Sequence, residues 1–170
     1  MAVDDGSTDD TLQKLMMLRE ERNDPNFVII SLPENKGVGN ACNVCLDSAS
    51  GEYVVFLGSD DYFFTEEFEK AMQLLDGTDM VYFDLRVNNG DIWRLNKTSK
   101  KVFVGTTKFM RREFVGDTRC PEIRQAEDWY FYQDLIAKDS TEAFSGLTVM
   151  HYNFPRKGSL TYLANMEKER

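Results

Sequence analysis

A chain of 170 residues and 19.6 kDa, 42% apolar and 29% charged, has the composition of one globular domain that can bury a core without disulfide staples. Its net charge of −9 disfavours nonspecific binding to nucleic acid or to an anionic membrane, and no apolar run reaches the ~20 residues of a bilayer span. The acidic start, Met1 to Asp10, lacks the basic-then-apolar layout of a signal peptide, so a cytoplasmic location with reduced cysteines is the expectation.

Along the chain, helix and strand patterns alternate. Val3 closes a short strand, and Ser7 or Thr8 caps a helix whose positive end favours Asp9 and Asp10. Leu12, Leu15, Met16 and Leu18 carry its apolar stripe. A turn at Asn23-Asp24-Pro25-Asn26 leads into a β-branched strand, Phe27 to Ser31. The loop Asn35 to Gly39 opens a second helix, Asn40 to Ser48. Tyr53 to Leu57 is a strand that runs straight into Gly58-Ser59-Asp60-Asp61. A third helix spans Thr65 to Leu75, a strand Asp79 to Leu85, and Asn88-Asn89-Gly90-Asp91 turns a hairpin back through Ile92 to Leu95. Lys97 to Lys101 reads as a basic loop, Phe109 to Phe114 as a short helix, Glu127 to Ala137 as a helix with an apolar side, and Leu147 to Asn153 as a late strand. The alternation predicts an α/β fold with a mixed, mainly parallel sheet flanked by helices.

Three cysteines, Cys42, Cys45 and Cys120, are an odd count. Cys42 and Cys45 form a C-x-x-C, which reads either as a redox pair or half a zinc site, or as two thiols on one helix face. A single histidine, His151, and no second C-x-x-C leave a four-ligand zinc site without ligands. His151 itself reads as a strand residue.

Acidic pairs stand where strands end, the edge at which open α/β sheets bind ligands. Asp4 and Asp5 form one pair, Asp60 and Asp61 the other. Close carboxylates repel and persist where a cation or donor compensates them, and hard oxygen ligands beside open positions suit Mg²⁺ or Mn²⁺. Capping of the following helices explains the same residues without a ligand.

Order and spacing then point to a family. Val3-Asp4-Asp5-Gly6-Ser7-Thr8-Asp9, Asn35-Lys36-Gly37 leading to Asn43, Gly51 to Asp61, Glu127-Asp128-Trp129 and Tyr152 to Leu160 resemble, in sequence, the motifs of family-2 glycosyltransferases. The resemblance implies a GT-A (Rossmann-like) fold and inverting transfer from a nucleoside diphosphate sugar, most simply a UDP-sugar, to a glycan or lipid-linked acceptor. It implies Asp4 or Asp5 at the base or ribose, with Lys36, Gly37, Asn43, Glu127, Trp129 and Arg156 also toward substrate. Asp60, with Asp61, would hold the metal, and Asp128 would deprotonate the acceptor. Arg156 or Lys157 would add charge opposite the phosphates, and one or two of Trp129 to Tyr132 would stack on a sugar. Residues from about 3 to 95 would form the nucleotide-sugar side and those from about 96 to 170 the acceptor side of one domain, a division read from the motif order.

Three positions depart from the family pattern. Gly58 stands where an aspartate is usual, Cys42 where an arginine is usual, and the segment opens directly on Met1-Ala2-Val3, as if N-terminally truncated by one strand–helix unit. A sheet missing a strand exposes edges, which invites a homodimer; a lipid-linked acceptor invites peripheral membrane association. A non-catalytic remnant that binds a glycan or protein is the alternative reading. A response-regulator-like domain also uses paired aspartates, but its earlier acidic pair and later strand lysine are not found.

Overall fold

The computed structural model describes residues 1–99, 106–123 and 126–157. They divide into two compact units: Met1–Gly51 with Asp117–Asp134, and Glu52–Gly116 with the chain from Leu135 onward.

The first unit opens on a strand–helix–strand. β1 (Ala2–Asp4) pairs in parallel with β2 (Ile29–Ser31), and α1 (Thr11–Arg22) connects them. The helix begins later than its apparent Ser7/Thr8 cap. Ser7 instead donates its N–H to Asp4 Oδ1 (3.3 Å), which holds a turn, and the Asp9 carboxylate accepts the Thr11 N–H at 3.0 Å. Asn23 closes α1 in the left-handed region (φ 47°), a conformation asparagine tolerates. α2 (Val38–Ser48) follows Gly37. α5 (Glu127–Ile136) starts in this unit, and Phe131, Tyr132 and Leu135 bury its apolar side while Trp129 and Tyr130 stay exposed.

The second unit holds a six-stranded sheet: β3 (Tyr53–Val54), β4 (Tyr62–Phe63), β5 (Met80–Val87), β6 (Ile92–Trp93), β7 (Lys108–Arg111) and β8 (Glu142–Tyr152). The order is β3-β7-β5-β8-β4, with β6 continuing along the edge of β5 that β7 also uses. β5 is the centre. Met80 to Leu85 are all buried, as a strand covered on both faces requires. Val81, Phe83 and Leu85 pack with Phe109, Val149, Met150 and Ala71 of α3 (Thr65–Met72). Glycine at 146, with φ +65°, sits where β8 slips register against β5, so the strand bulges there.

This sheet overturns the expectation of a mainly parallel one. Of its pairings only β5–β8 is parallel; β3–β7, β4–β8, β5–β6 and β5–β7 are antiparallel. Antiparallel neighbours need no helical crossover, and short connections suffice. The β5–β6 hairpin is such a case: the Gly90 N–H reaches the Val87 carbonyl (2.9 Å), with Gly90 at φ +90°. The short helix expected from Phe109 is also corrected. Residues 108–111 form β7, because the buried Phe109 and Met110 pair with Val81 and Met80, and only then does α4 (Arg112–Val115) begin. Of Tyr53 to Leu57 only the first two residues join the ladder.

Asp79 anchors the start of β5. Its carboxylate accepts two bonds from Arg111 (2.6 and 3.0 Å) and two from Thr141, by N–H (2.9 Å) and hydroxyl (2.8 Å). Burial pushes this carboxyl up, but the Thr141 and Arg111 donors outweigh it and hold it below the usual aspartate range. Among the described residues no helix is long and apolar enough to cross a membrane.

Candidate functional site

In the first unit, both aspartates that follow β1 are tied to backbone. Asp4 is buried, at 4% exposure, and accepts the Ser7 N–H and the Ser31 hydroxyl (3.3 Å each). Asp5 grips the loop before α2: Oδ1 accepts the Lys36 N–H at 3.0 Å and Oδ2 the Gly37 N–H at 2.8 Å. Gly6 makes that grip feasible. A Cβ there would lie 2.6 Å from the Glu34 carbonyl carbon and 2.7 Å from the Asn35 nitrogen, and its φ is +67°. The Lys36 ammonium is exposed and pairs with Glu34 at 3.3 Å.

α2 is fastened to the segment that leads into α5. Asn43 donates Nδ2 to the Cys120 carbonyl (2.9 Å) and accepts the Cys120 N–H on Oδ1 (2.8 Å), so its amide is spent on backbone. Arg119 pairs with Asp47 at 2.7 Å. Gly39, buried in α2, would place a Cβ 3.2 Å from both the Glu127 Cγ and the Pro121 carbonyl oxygen. The start of α5 therefore packs directly onto α2. Burial, with the Asp128 charge adding to it, raises the Glu127 carboxyl above the usual range. Asp128 beside it is half-buried, and Ala126 just ahead holds φ +63°. Trp129 (42% exposed) and Tyr130 (51%) meet edge to face, with ring centres 5.2 Å apart.

The C-x-x-C is not the pair that forms. The neighbouring Cys120 thiol, then burial, raise the Cys42 thiol far above the ordinary range. Cys45 is raised chiefly by burial, and all three cysteines are free thiols. Cys42 and Cys45 lie on α2, and Cys120 approaches Cys42 from the segment ahead of α5, a neighbour that spacing did not reveal.

In the second unit, the loop between β3 and β4 gathers two carboxylates just ahead of Tyr62. A Cβ on Gly58 would stand 2.8 Å from Asp61 Oδ2 and 3.3 Å from Asp60 Oδ1, so both side chains converge on the space that glycine leaves. Asp61 Oδ1 accepts the Asn153 N–H at 2.8 Å. Asp60 Oδ2 is 2.7 Å from Arg156 Nε. Burial pushes the Asp61 carboxyl up and the Asp60 charge adds to that; the Asn153 bond, His151 and Arg156 offset only part. His151 lies in β8 as expected, stacked on Tyr62 with ring centres 4.6 Å apart, and its Nδ1 is buried without a hydrogen-bond partner among the described residues. Asn153 was not singled out from sequence, although it lies in the motif that β8 delivers. Gly158, Ser159 and Leu160 of that motif lie outside the described residues, as do Lys100 and Lys101 of the basic loop.

A divalent cation fits this pair. Mg²⁺ and Mn²⁺ sites that close on a phosphorylated substrate commonly draw only one or two carboxylates from the protein. Among the described residues no group of three or more His, Cys, Asp or Glu is gathered. The Arg156 guanidinium, 2.7 Å from Asp60 Oδ2, already places one positive charge at this carboxylate.

A sequence model described as glycosyl transferase family 2 matches residues 1–132. The putative teichuronic acid biosynthesis glycosyltransferase TuaG of Bacillus subtilis is 29% identical over 157 residues, 82% of this chain and 60% of that protein. The crystal structure of Staphylococcus aureus TarS 1–349 in complex with UDP-GlcNAc superposes with a TM-score of 0.78 at 27% identity, covering 92% of this chain and 49% of the other. The mannosyltransferase PcManGT of Pyrobaculum calidifontis, in complex with GDP-Man and Mn²⁺, shares the fold with a TM-score of 0.70 at 20% identity, over 92% of this chain and 48% of that one. The chain thus spans about half to three-fifths of the length of these proteins.

Proposed function

The chain belongs to glycosyltransferase family 2, and on that premise we propose that it transfers a sugar, with inversion, from a nucleoside diphosphate sugar to a hydroxyl of a glycan or lipid-linked acceptor. The observation that carries this reading is the carboxylate pair converging over Gly58, with a cationic side chain already at Asp60. A UDP-sugar is the favoured donor, because the similar TarS structure is a UDP-GlcNAc complex. The bound Mn²⁺ of PcManGT supports a divalent cation, Mg²⁺ or Mn²⁺.

Asp60 and Asp61 would hold a divalent cation, which would supply positive charge opposite the leaving diphosphate. Asp128 takes the proton of the acceptor hydroxyl as its oxygen bonds to the anomeric carbon and the bond to the diphosphate oxygen breaks. Trp129, with an exposed ring, offers a face for sugar stacking. Asp5 acts by shaping the loop at Lys36–Gly37, whose N–H groups its carboxylate holds, while Asp4 fixes the turn at Ser7 and the end of β2 at Ser31, and the base or ribose binds against that loop. Arg156 adds positive charge toward the phosphates. In this division residues up to about 95 serve the donor and later ones the acceptor, Arg156 excepted.

Calorimetric titration of UDP with and without Mn²⁺ tests the reading. Binding that needs Mn²⁺ and is lost in Asp60→Ala supports it. With donor and acceptor supplied, Asp128→Asn lowers turnover by about two to four orders of magnitude while UDP binding persists. Mn²⁺-independent binding, or full turnover in Asp128→Asn, refutes the assigned roles.

A further inference from the structure

We propose that Arg156 holds the place of the divalent cation at Asp60 while the donor is absent, and releases that carboxylate when cation and nucleoside diphosphate bind together. This rests on the reading of Asp60 as a cation ligand.

Two carboxylates that converge on one space repel, and without a cation the pair needs another positive group. The end of β8 supplies it. Asn153 fixes one carboxylate through its N–H (2.8 Å to Asp61 Oδ1), and three residues later Arg156 reaches the other (2.7 Å from Nε to Asp60 Oδ2). One short stretch of chain thus covers both acids. The contact is built to be given up: the Arg156 side chain is 49% exposed and that of Asp60 36%. Ion pairs so open to water are weak, whereas a divalent ion brings twice the charge to the same oxygen.

Once displaced, the guanidinium remains within reach of whatever anion the cation holds, and its planar fork suits phosphate oxygens. Arg156 therefore has two opposed effects. It competes with the cation alone, and it supports the nucleotide once the cation is in place. The consequence is coupling: the cation binds poorly by itself and well with nucleoside diphosphate, and each ligand strengthens the other by the same factor. A bare cation would then not occupy the site unproductively.

The test measures Mn²⁺ affinity by water-proton relaxation, first alone and then with UDP, in the wild type, Arg156→Gln and Asp60→Asn. Thermal melting confirms that each variant is folded. Arg156→Gln is expected to tighten Mn²⁺ binding in the absence of nucleotide by about threefold to tenfold. At saturating Mn²⁺ the same variant is expected to weaken UDP by roughly tenfold, the loss of a charge-assisted contact. The coupling between the two ligands shrinks accordingly. Arg156→Lys, which keeps charge without the fork, should fall between wild type and Arg156→Gln on both measures. Unchanged or weaker Mn²⁺ binding in Arg156→Gln overturns the placeholder; the reading of Asp60 survives that result if Asp60→Asn still abolishes Mn²⁺-dependent UDP binding. UDP binding by the wild type that ignores Mn²⁺ overturns both.

Discussion

Replacing Gly6 by alanine tests how the first aspartate pair does its work. Two costs are expected. A positive φ of +67° disfavours any residue with a Cβ, by about 1–2 kcal/mol. The new methyl would also sit 2.6–2.8 Å from backbone atoms of Glu34 and Asn35, which have no flexible end that can turn away. The loop must then retreat, and with it the Lys36 and Gly37 N–H groups that Asp5 holds at 3.0 and 2.8 Å. Losing two hydrogen bonds to a carboxylate adds about 1.5 kcal/mol each, for a total of about 4–5 kcal/mol, a large share of the ~5–15 kcal/mol that holds a domain together. Gly90→Ala is the control. Its φ is +90° but nothing lies within 4 Å of the added methyl, so it pays strain alone. Urea titrations followed by tryptophan fluorescence and circular dichroism read both. The expected order is Gly6→Ala well below Gly90→Ala in midpoint. In a double-mutant cycle the Gly6→Ala and Asp5→Ala effects should overlap rather than add, since both release the same loop. Equal midpoints for the two glycine variants, or strict additivity in the cycle, would refute the close-approach argument.

The remaining predictions concern other fastenings. Asp79 has a depressed pKa, so its contribution is complete above the unfolded value of about 3.9 and disappears as pH falls through the lower, folded value. Stability measured by urea midpoint should therefore decline below about pH 4, and Asp79→Asn should lower the midpoint at pH 7 and flatten that decline; an unchanged acid limb would contradict the assignment. Asn43→Ala leaves the Cys120 N–H and carbonyl without their partner and is expected to cost about 2 kcal/mol, seen as a lowered melting temperature. If Asn43 instead contacted the donor directly, the variant would weaken UDP binding and leave the melting temperature unchanged.

Much of the molecule was legible locally. Helix periodicity located α1, α2, α3 and α5 to within a few residues, and the Asn88-Asn89-Gly90 turn marked its hairpin, because caps, stripes and turn residues act over distances of one helical turn. The helix expected after Phe109 became a strand because its apolar residues answered to β5 rather than to one another. Asp4 and Asp5 stand at the end of β1 as expected, whereas Asp60 and Asp61 lie past β3 and just ahead of β4, and the exposed and buried members of Trp129 to Tyr132 followed helical spacing. The amino-acid order by itself determined which segments form helices and hairpins and which family the motifs resemble.

Only the tertiary structure decided what those residues touch. Strand direction depends on which distant segment supplies the partner, so the sheet turned out largely antiparallel despite an alternating pattern of elements. The same is true of the side chains. Nothing in the spacing tells Cys42 from Cys45 as the partner of Cys120, assigns Asn43 to a backbone segment, or sends Arg156 to Asp60 rather than to open solvent. A hydrogen bond or ion pair is a short-range, directional contact between groups brought together by the fold, and its partner is fixed by position in space, which no local pattern encodes.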